Sequence, residues 1–237
     1  MGTVIGKLSY NYGKMNKRLC LACVFLMICV NTFCEEKNNL FPFRWSSYTT
    51  YFQAGQERAK NIRMAVEKLD GFILHSGSEF SFNETVTWQI PRDTFGYAPA
   101  IIDGKLLPAP GGGLCQVSST LYAAVLAAGL SVTERKNHSS TVGYISPGLD
   151  ATVSSTDNID LKFCNKSSLP FIIRAELKDG SLTVVLLSSS PPGREVNVSV
   201  SIDETKGPCI SVITTRRTLS ENGVSATEII SRDEYIR

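Results

Sequence analysis

The chain has almost no excess of charge of either sign. Its 24 lysines and arginines nearly balance its 22 aspartates and glutamates, which leaves a net charge of +2. The basic residues neither form long runs nor alternate with aromatics, so the sequence lacks the pattern of a nucleic-acid-binding protein. Internal repeats and low-complexity tracts are also missing. With 43% hydrophobic residues in 237, the chain can support one substantial globular domain and a small appendage.

Long hydrophobic runs are missing as well, apart from one near the N-terminus. There the basic stretch Met15–Arg18 precedes an apolar run, Leu19–Val30. This order is typical of an export signal, and the run is short for a full membrane span. We therefore predict that residues 1–37 are a signal or anchor segment and that the protein works outside the cytoplasm, in the cell envelope. Only this segment is expected to contact the membrane, and its cleavage is left open.

Cysteine is scarce outside that segment. Four of the seven cysteines fall in it or just after it: Cys20, Cys23, Cys29 and Cys34. The first two are therefore not interpreted as a metal site, and no metal or cofactor is predicted. Cys115, Cys164 and Cys209 remain. A disulfide between Cys164 and Cys209 would leave Cys115 free, but the sequence leaves the pairing open.

Cys115 follows a glycine turn, Gly111–Gly113, at the predicted start of a helix from Leu114 to about Ala128. A helix start presents unpaired N–H groups and the positive end of the helix dipole, and both favour a thiolate. The same N–H groups can bind an oxyanion, provided that the glycines let a substrate approach the backbone. The turn and helix therefore predict a cysteine nucleophile.

Helical periodicity divides this helix into a polar and an apolar face. We expect the apolar face to anchor the helix and the polar face to line a substrate cleft. The serines there have an alternative role, since hydroxyls in a first helical turn often satisfy the local backbone. The residues expected to contact substrate are Gly112, Gly113, Gln116, Ser119, Tyr122 and, from a neighbouring strand, Arg135.

A nucleophilic thiol needs a base, and the sequence contains only two histidines. His138 follows a predicted strand, and Asp150 lies in a nearby loop where a carboxylate can orient an imidazole. Cys115, His138 and Asp150 are therefore predicted to act as nucleophile, base and orienting residue. Asp150 has an alternative role in capping backbone N–H groups of its turn. No role is assigned to His75.

The pattern of helices and strands predicts an α+β fold. An amphipathic helix is predicted over Gln56–Leu69, and the helix with Cys115 is expected to pack on an antiparallel sheet. Beyond that helix, alternating apolar residues predict a β-rich C-terminal part, with a strand at Thr141–Ile145 and a hairpin turn at Lys178–Ser181. Asn38–Tyr48 is predicted to be a loop. The predicted division of the chain is a signal segment at 1–37, a main domain at 38–190 and a β-rich extension at 191–237.

Several ordered motifs in this chain resemble the VanW family. The resemblance covers about two-thirds of the chain and is carried by Gly71–Leu74, Phe80–Asn83, Gly96–Ala100, Gly111–Tyr122, Glu134–Arg135, His138–Ser139, Pro147–Val153 and Asp160–Phe163. It implies a cell-wall role outside the cytoplasm, associated with vancomycin resistance. It also implies a cysteine L,D-transpeptidase that acts on peptidoglycan stem peptides, with Cys115 as the nucleophile. His138 and Asp150 match the family's motif positions, whereas their roles follow from chemistry.

Two functions follow from these observations. In the first, Cys115 attacks a stem peptide and transfers the acyl group to a second stem, forming 3-3 cross-links without a cofactor. Arg135 would then pair with the stem carboxylate, unless it is an ordinary solvated strand residue. In the second, the protein is a non-catalytic peptidoglycan-binding accessory module. A hydrolase that releases the acyl group to water is a close variant of the first function.

Overall fold

The computed structural model describes residues 40–52, 55–102, 105–205 and 207–236. The predicted signal segment at residues 1–37 lies outside these ranges. The chain from Phe41 onward forms one compact unit. Within the described ranges, every helix is too short or too polar to span a bilayer.

The architecture is α+β, as predicted. Three α-helices occur in the described part of the chain: Gln56–Leu69 (α1), Phe82–Thr85 (α2) and Leu114–Ala127 (α3). The strands, in chain order, are Phe43–Tyr51 (β1), Phe72–Leu74 (β2), Glu79–Ser81 (β3), Tyr97–Ile102 (β4), Lys105–Pro110 (β5), Ser131–Glu134 (β6), Lys162–Cys164 (β7), Phe171–Lys178 (β8), Ser181–Ser188 (β9), Arg194–Asp203 (β10), Cys209–Ser220 (β11) and Ser225–Ile236 (β12).

A four-stranded antiparallel sheet, in the order β1-β9-β8-β2, supports the helices. Strand β9 alternates strictly between buried and half-buried residues, and its buried Leu182, Val184 and Leu186 point into the core. Helices α1 and α3 pack on this sheet and on each other. Their apolar side chains, such as Ile62 of α1 and Leu121 of α3, complete the same core.

Helix α3 begins at Leu114, as predicted, but it is buried on all sides and not on one face only. Every residue from 116 to 126 is buried. The helix ends at Ala127, and Gly129 adopts the left-handed conformation (φ 73°) that favours glycine after a helix. The prediction of an open polar face is wrong, because protein surrounds the helix on all sides. Its polar side chains bond to the backbone and to neighbouring elements instead.

The C-terminal part is β-rich, as predicted. Strands β10, β11 and β12 form a three-stranded antiparallel sheet, and β12 was not predicted. The boundary predicted at residue 191 falls in the turn before β10, and the three strands belong to the same compact unit as the rest.

Two other local predictions are wrong and one is confirmed. Asn38–Tyr48 was predicted as a loop, yet β1 begins at Phe43, because its backbone pairs antiparallel with β9. Thr141–Ile145 was predicted as a strand but is a turn region. The hairpin turn between β8 and β9 is confirmed, with Asp179 and Gly180 both at positive φ (49° and 77°).

Candidate active site

Helix α3 opens with an unpaired backbone donor at Cys115. Gly113 precedes the helix in a left-handed conformation, with φ 114°. The N–H of Leu114 donates to the Gly111 carbonyl at 3.1 Å, and the N–H of Gln116 donates to the Gly113 carbonyl at 3.0 Å. The Cys115 N–H has no acceptor among the described residues. The thiol and a free backbone donor therefore occur on the same residue.

The glycines of this turn serve packing within the protein. A Cβ at Gly112 would lie 2.4 Å from the Ala98 carbonyl oxygen, and one at Gly113 would lie 2.8 Å from Cγ1 of Ile62. Both glycines are buried. The expectation that Gly112 and Gly113 admit a substrate is therefore corrected, because they let the turn lie against β4 and α1.

His138 and Asp150 form a buried pair beside Cys115. Nδ1 of His138 lies 2.7 Å from Oδ2 of Asp150, and the backbone N–H of His138 donates to the same oxygen at 2.7 Å. The Cys115 side chain lies close enough to raise the pKa of His138, and its thiol donates to the Val153 carbonyl at 3.6 Å. Cys115 is partly exposed, whereas His138 and Asp150 are buried. The structure thus brings together the three residues that the sequence singled out.

At neutral pH the imidazole of His138 is positively charged and is not a neutral base. Burial lowers the pKa of His138, but its hydrogen bond to Asp150 and the neighbouring Cys115 side chain outweigh burial and raise the pKa to about 9. Burial alone would raise the pKa of Asp150, yet the hydrogen bond with His138 and the charge of Arg135 lower it. At neutral pH, His138 is therefore protonated and carries a positive charge beside the sulfur.

Arg135 holds Asp150 in place and is not available to a substrate. Its Nη2 lies 3.0 Å from Oδ1 of Asp150, and its Nε donates to the Asp150 carbonyl at 2.7 Å. Its Nη1 lies 2.5 Å from Oδ1 of Asp233, and the side chain is only 6% exposed. The prediction that Arg135 contacts the substrate is corrected, because two internal carboxylates already neutralise its charge.

Gln116 and Ser119 face the interior of the protein, not a cleft. Gln116 accepts a hydrogen bond from Arg58 at 2.9 Å and donates to Oγ1 of Thr50 at 3.0 Å. Ser119 accepts from the Ala151 N–H at 2.9 Å and so fixes the residue next to Asp150. The expectation of substrate contact is corrected for both, since neither is open to solvent.

Tyr122 is also buried, and the guanidinium of Arg135 lies over its ring, 5.1 Å from the centroid. Its predicted contact with substrate is corrected in the same way. The Tyr122 ring packs against the guanidinium that binds Asp150 and so helps to fix its position.

Three further residues surround the group and were missed from the sequence: Tyr235 donates to Asp150, Arg58 donates to Gln116 next to Cys115, and Tyr144 has its pKa raised by burial and by the Cys115 side chain. Arg58 lies on α1, Tyr144 lies in the turn region after His138, and Tyr235 lies on β12. None belongs to a pattern of nucleophile, base or orienting residue. Only the folded structure brings them to the site.

The described residues contain no cluster of three or more histidine, cysteine or acidic side chains that can hold a metal ion. Cys115, Cys164 and Cys209 are all free. The disulfide between Cys164 and Cys209, which the sequence left open, is therefore not formed.

Comparison with known proteins identifies the family. The model of the family described as "VanW like protein" matches residues 57–187, more than half of the chain, and this range includes Cys115, His138 and Asp150. The chain belongs to the VanW family, as predicted.

Two curated relatives match. The uncharacterized protein YoaR of Bacillus subtilis (strain 168) is 39% identical over 143 residues, which cover 60% of this chain and 47% of YoaR. The vancomycin B-type resistance protein VanW of Enterococcus faecalis (strain ATCC 700802 / V583) is 27% identical over 148 residues, 58% of this chain and 51% of that protein. The chain thus spans about half the length of these relatives. No solved structure matches it significantly.

Proposed function

We propose that this protein is a cysteine acyltransferase of the cell envelope that acts on peptidoglycan stem peptides, in the manner of an L,D-transpeptidase. The observation that carries the proposal is the buried His138–Asp150 pair beside the partly exposed Cys115, in which His138 is protonated at neutral pH. The name of the Enterococcus relative, a vancomycin resistance protein, supports a cell-wall substrate.

The first half-reaction forms a thioester. The Cys115 thiolate attacks the carbonyl carbon of the third stem residue, and the Cys115 N–H can donate to the oxyanion. The C–N bond to the terminal D-alanine then breaks, and His138 gives its proton to the departing amine. Asp150 keeps the imidazole oriented through Nδ1, which leaves Nε2 for this proton transfer.

The second half-reaction reverses these steps with a new amine. The side-chain amine of another stem attacks the thioester carbonyl and loses a proton to His138. The C–S bond breaks, the Cys115 thiolate is released, and a 3-3 cross-link forms. If water took the place of the amine, the same residues would catalyse hydrolysis, so the acceptor decides between transferase and hydrolase.

Intact-protein mass spectrometry tests the proposal. Wild-type protein incubated with a tetrapeptide stem should gain the mass of the tripeptide acyl group on Cys115 and release D-alanine. Cys115→Ala should fold normally, because alanine is a good helix former, and should gain no mass. Cys164→Ala is the matched control and should acylate like the wild type, since Cys164 is a second free and partly exposed cysteine but lies in β7 and not at a helix start.

Two other outcomes would count against acyl transfer by Cys115. Acylation of Cys115→Ala would contradict the cysteine mechanism. Binding of stems by both proteins without any acylation would favour the accessory-module function instead. Location in the cell envelope is tested separately, by fusing residues 1–40 to a reporter that is active only outside the cytoplasm.

A further inference from the structure

Arg58 is a half-buried cation near Cys115 without an acidic partner among the described residues. Its Nη2 donates to Oε1 of Gln116 at 2.9 Å, and its Nη1 donates to the Pro99 carbonyl at 3.2 Å. Both acceptors are neutral. The side chain also lies against the turn before α3, because a Cβ at Gly113 would be 3.3 Å from Cγ of Arg58.

This arrangement holds the guanidinium still without neutralising it. Burial lowers the pKa of Arg58 because no internal carboxylate compensates for the desolvation, but the guanidinium stays positively charged at neutral pH. Arg135, unlike Arg58, has two carboxylate partners, Asp150 and Asp233. A fixed and unpaired guanidinium beside a nucleophile is suited to bind an anionic group from outside the protein.

Tyr144 provides an independent observation at the same place. Its hydroxyl is buried and has no hydrogen-bond partner in the described part of the chain. Ser119 lies near it, but the Ser119 hydroxyl donates to the Cys115 carbonyl at 2.6 Å and accepts from Ala151. Burial raises the pKa of Tyr144, so the phenol keeps its proton and remains a donor.

Both side chains lie near the thiol. Cys115 lies close enough to both Arg58 and Tyr144 to raise their pKa values, and Arg58 and Tyr144 lie close enough to affect each other's. A buried hydroxyl that lacks an acceptor lowers stability by about 1–3 kcal/mol. An oxygen atom of a bound acyl group would supply the missing acceptor.

We propose that Arg58 and Tyr144 form the substrate-recognition site beside Cys115. Arg58 binds the terminal carboxylate of the residue that leaves, and Tyr144 donates a hydrogen bond to the acyl oxygen as it becomes an oxyanion. This inference rests on the proposed acyl transfer and assigns the carboxylate contact to Arg58 in place of Arg135.

The first experiment compares a tetrapeptide stem with its C-terminal amide, which lacks the carboxylate. The wild type should acylate from the acid at least about 10-fold faster, as expected for a charge-assisted contact. Arg58→Gln should lose this preference, mainly through a higher KM for the acid. Arg63→Gln is the control, since Arg63 is an exposed arginine on the same helix, and it should keep the preference. Equal preference in Arg58→Gln and the wild type would overturn the proposal.

The second experiment removes one hydroxyl. Tyr144→Phe should lower the acylation rate about 100-fold, the size seen when an oxyanion donor is lost. Its stability should stay the same or rise, because the variant removes a buried hydroxyl without a partner. An unchanged rate, or a loss of stability equal to that of a structural tyrosine, would contradict the assignment.

A binding measurement separates this proposal from the proposed function. Calorimetry on Cys115→Ala avoids turnover, and the protein should bind the acid more tightly than the amide only while Arg58 is present. If the wild type never acylates but this difference persists, the acyl-transfer mechanism fails and the recognition site stands. If binding is absent or indifferent to the carboxylate, the recognition site fails.

Discussion

The hydroxyl of Tyr235 donates to Oδ1 of Asp150 at 2.5 Å and accepts the Gly148 N–H at 2.7 Å. Tyr235 lies on β12, outside the range 57–187 that the family model matches. Asp233, on the same strand, contacts Arg135. The last strand of the chain therefore helps to hold the carboxylate that orients His138.

Tyr235→Phe should weaken this support without emptying the space that the ring fills. Because a buried hydrogen bond to a charged group is lost, the free energy of unfolding should fall by about 1.5–3 kcal/mol. The pKa of His138 should fall too, since Asp150 becomes less firmly held. Chemical denaturation and an imidazole NMR titration measure the two effects. Tyr51→Phe, which alters a tyrosine that is 72% exposed, should change neither.

Arg135→Gln should destabilise the protein strongly. The change leaves Asp150 and Asp233 buried with one cation fewer, and breaking a buried ion pair in this way costs about 3–5 kcal/mol. Denaturant unfolding checks this value. Asp233→Asn in the same chain should restore part of the loss. A variant of normal stability with only a raised KM for stems would show that Arg135 contacts substrate after all.

The charge on His138 should make stability and activity depend on pH. The pKa of His138 in the folded protein, about 9, exceeds its ordinary value of about 6.5. The interactions of protonated His138 with its neighbours therefore stabilise the folded protein fully below pH 6.5. This stabilisation, about 3 kcal/mol, is lost as the pH rises through 9. His138→Gln should accordingly cost more stability at pH 6 than at pH 10. Acylation should decline above pH 9, because the proton for the leaving amine is gone.

The thiol of Cys115 should react faster with iodoacetamide than those of Cys164 and Cys209. All three side chains are partly exposed, so access alone does not separate them. Among these three cysteines, Cys115 alone lies beside a protonated imidazole, and a neighbouring positive charge speeds the attack of a sulfur on iodoacetamide. Peptide mapping at pH 7 should show at least about 10-fold faster alkylation of Cys115. His138→Gln should bring its rate down to that of the other two, and an unchanged rate would contradict the contact.

Local patterns in the sequence predict much of this fold but not the surroundings of each element. Helix α1 was predicted with its observed bounds, and α3 with its observed start, because periodicity, a glycine turn and a terminal glycine are local signals. The same periodicity suggested an open polar face on α3. That inference failed because burial depends on what packs against a helix, and the segment with Ala151 covers Ser118 and Ser119.

The candidate site was also predicted only in part, because local patterns do not show which distant residues pack around it. Cys115, His138 and Asp150 were found because the chemistry of a thiol, an imidazole and a carboxylate restricts the choice to few residues. Arg135 was assigned the wrong contact, since its partner Asp233 lies 98 residues away on a strand that was not predicted. Arg58 and Tyr144 had no local signal at all. Long-range packing, and not residue type, gives them their positions.

Gly112→Ala tests whether Gly112 is required for packing within the protein or for the approach of a substrate. The added Cβ would lie 2.4 Å from the Ala98 carbonyl oxygen and 2.9 Å from that of Pro99, and backbone atoms cannot move aside cheaply. The free energy of unfolding should therefore fall by about 1–3 kcal/mol, as for other overpacked sites. The alkylation rate of Cys115 should change with it, because the strain acts on the start of α3. Gly143→Ala is the control, since no atom lies within 4 Å of its added Cβ. If Gly112→Ala instead kept full stability and lost only stem acylation, the turn would serve the approach of the substrate, as the sequence alone first suggested.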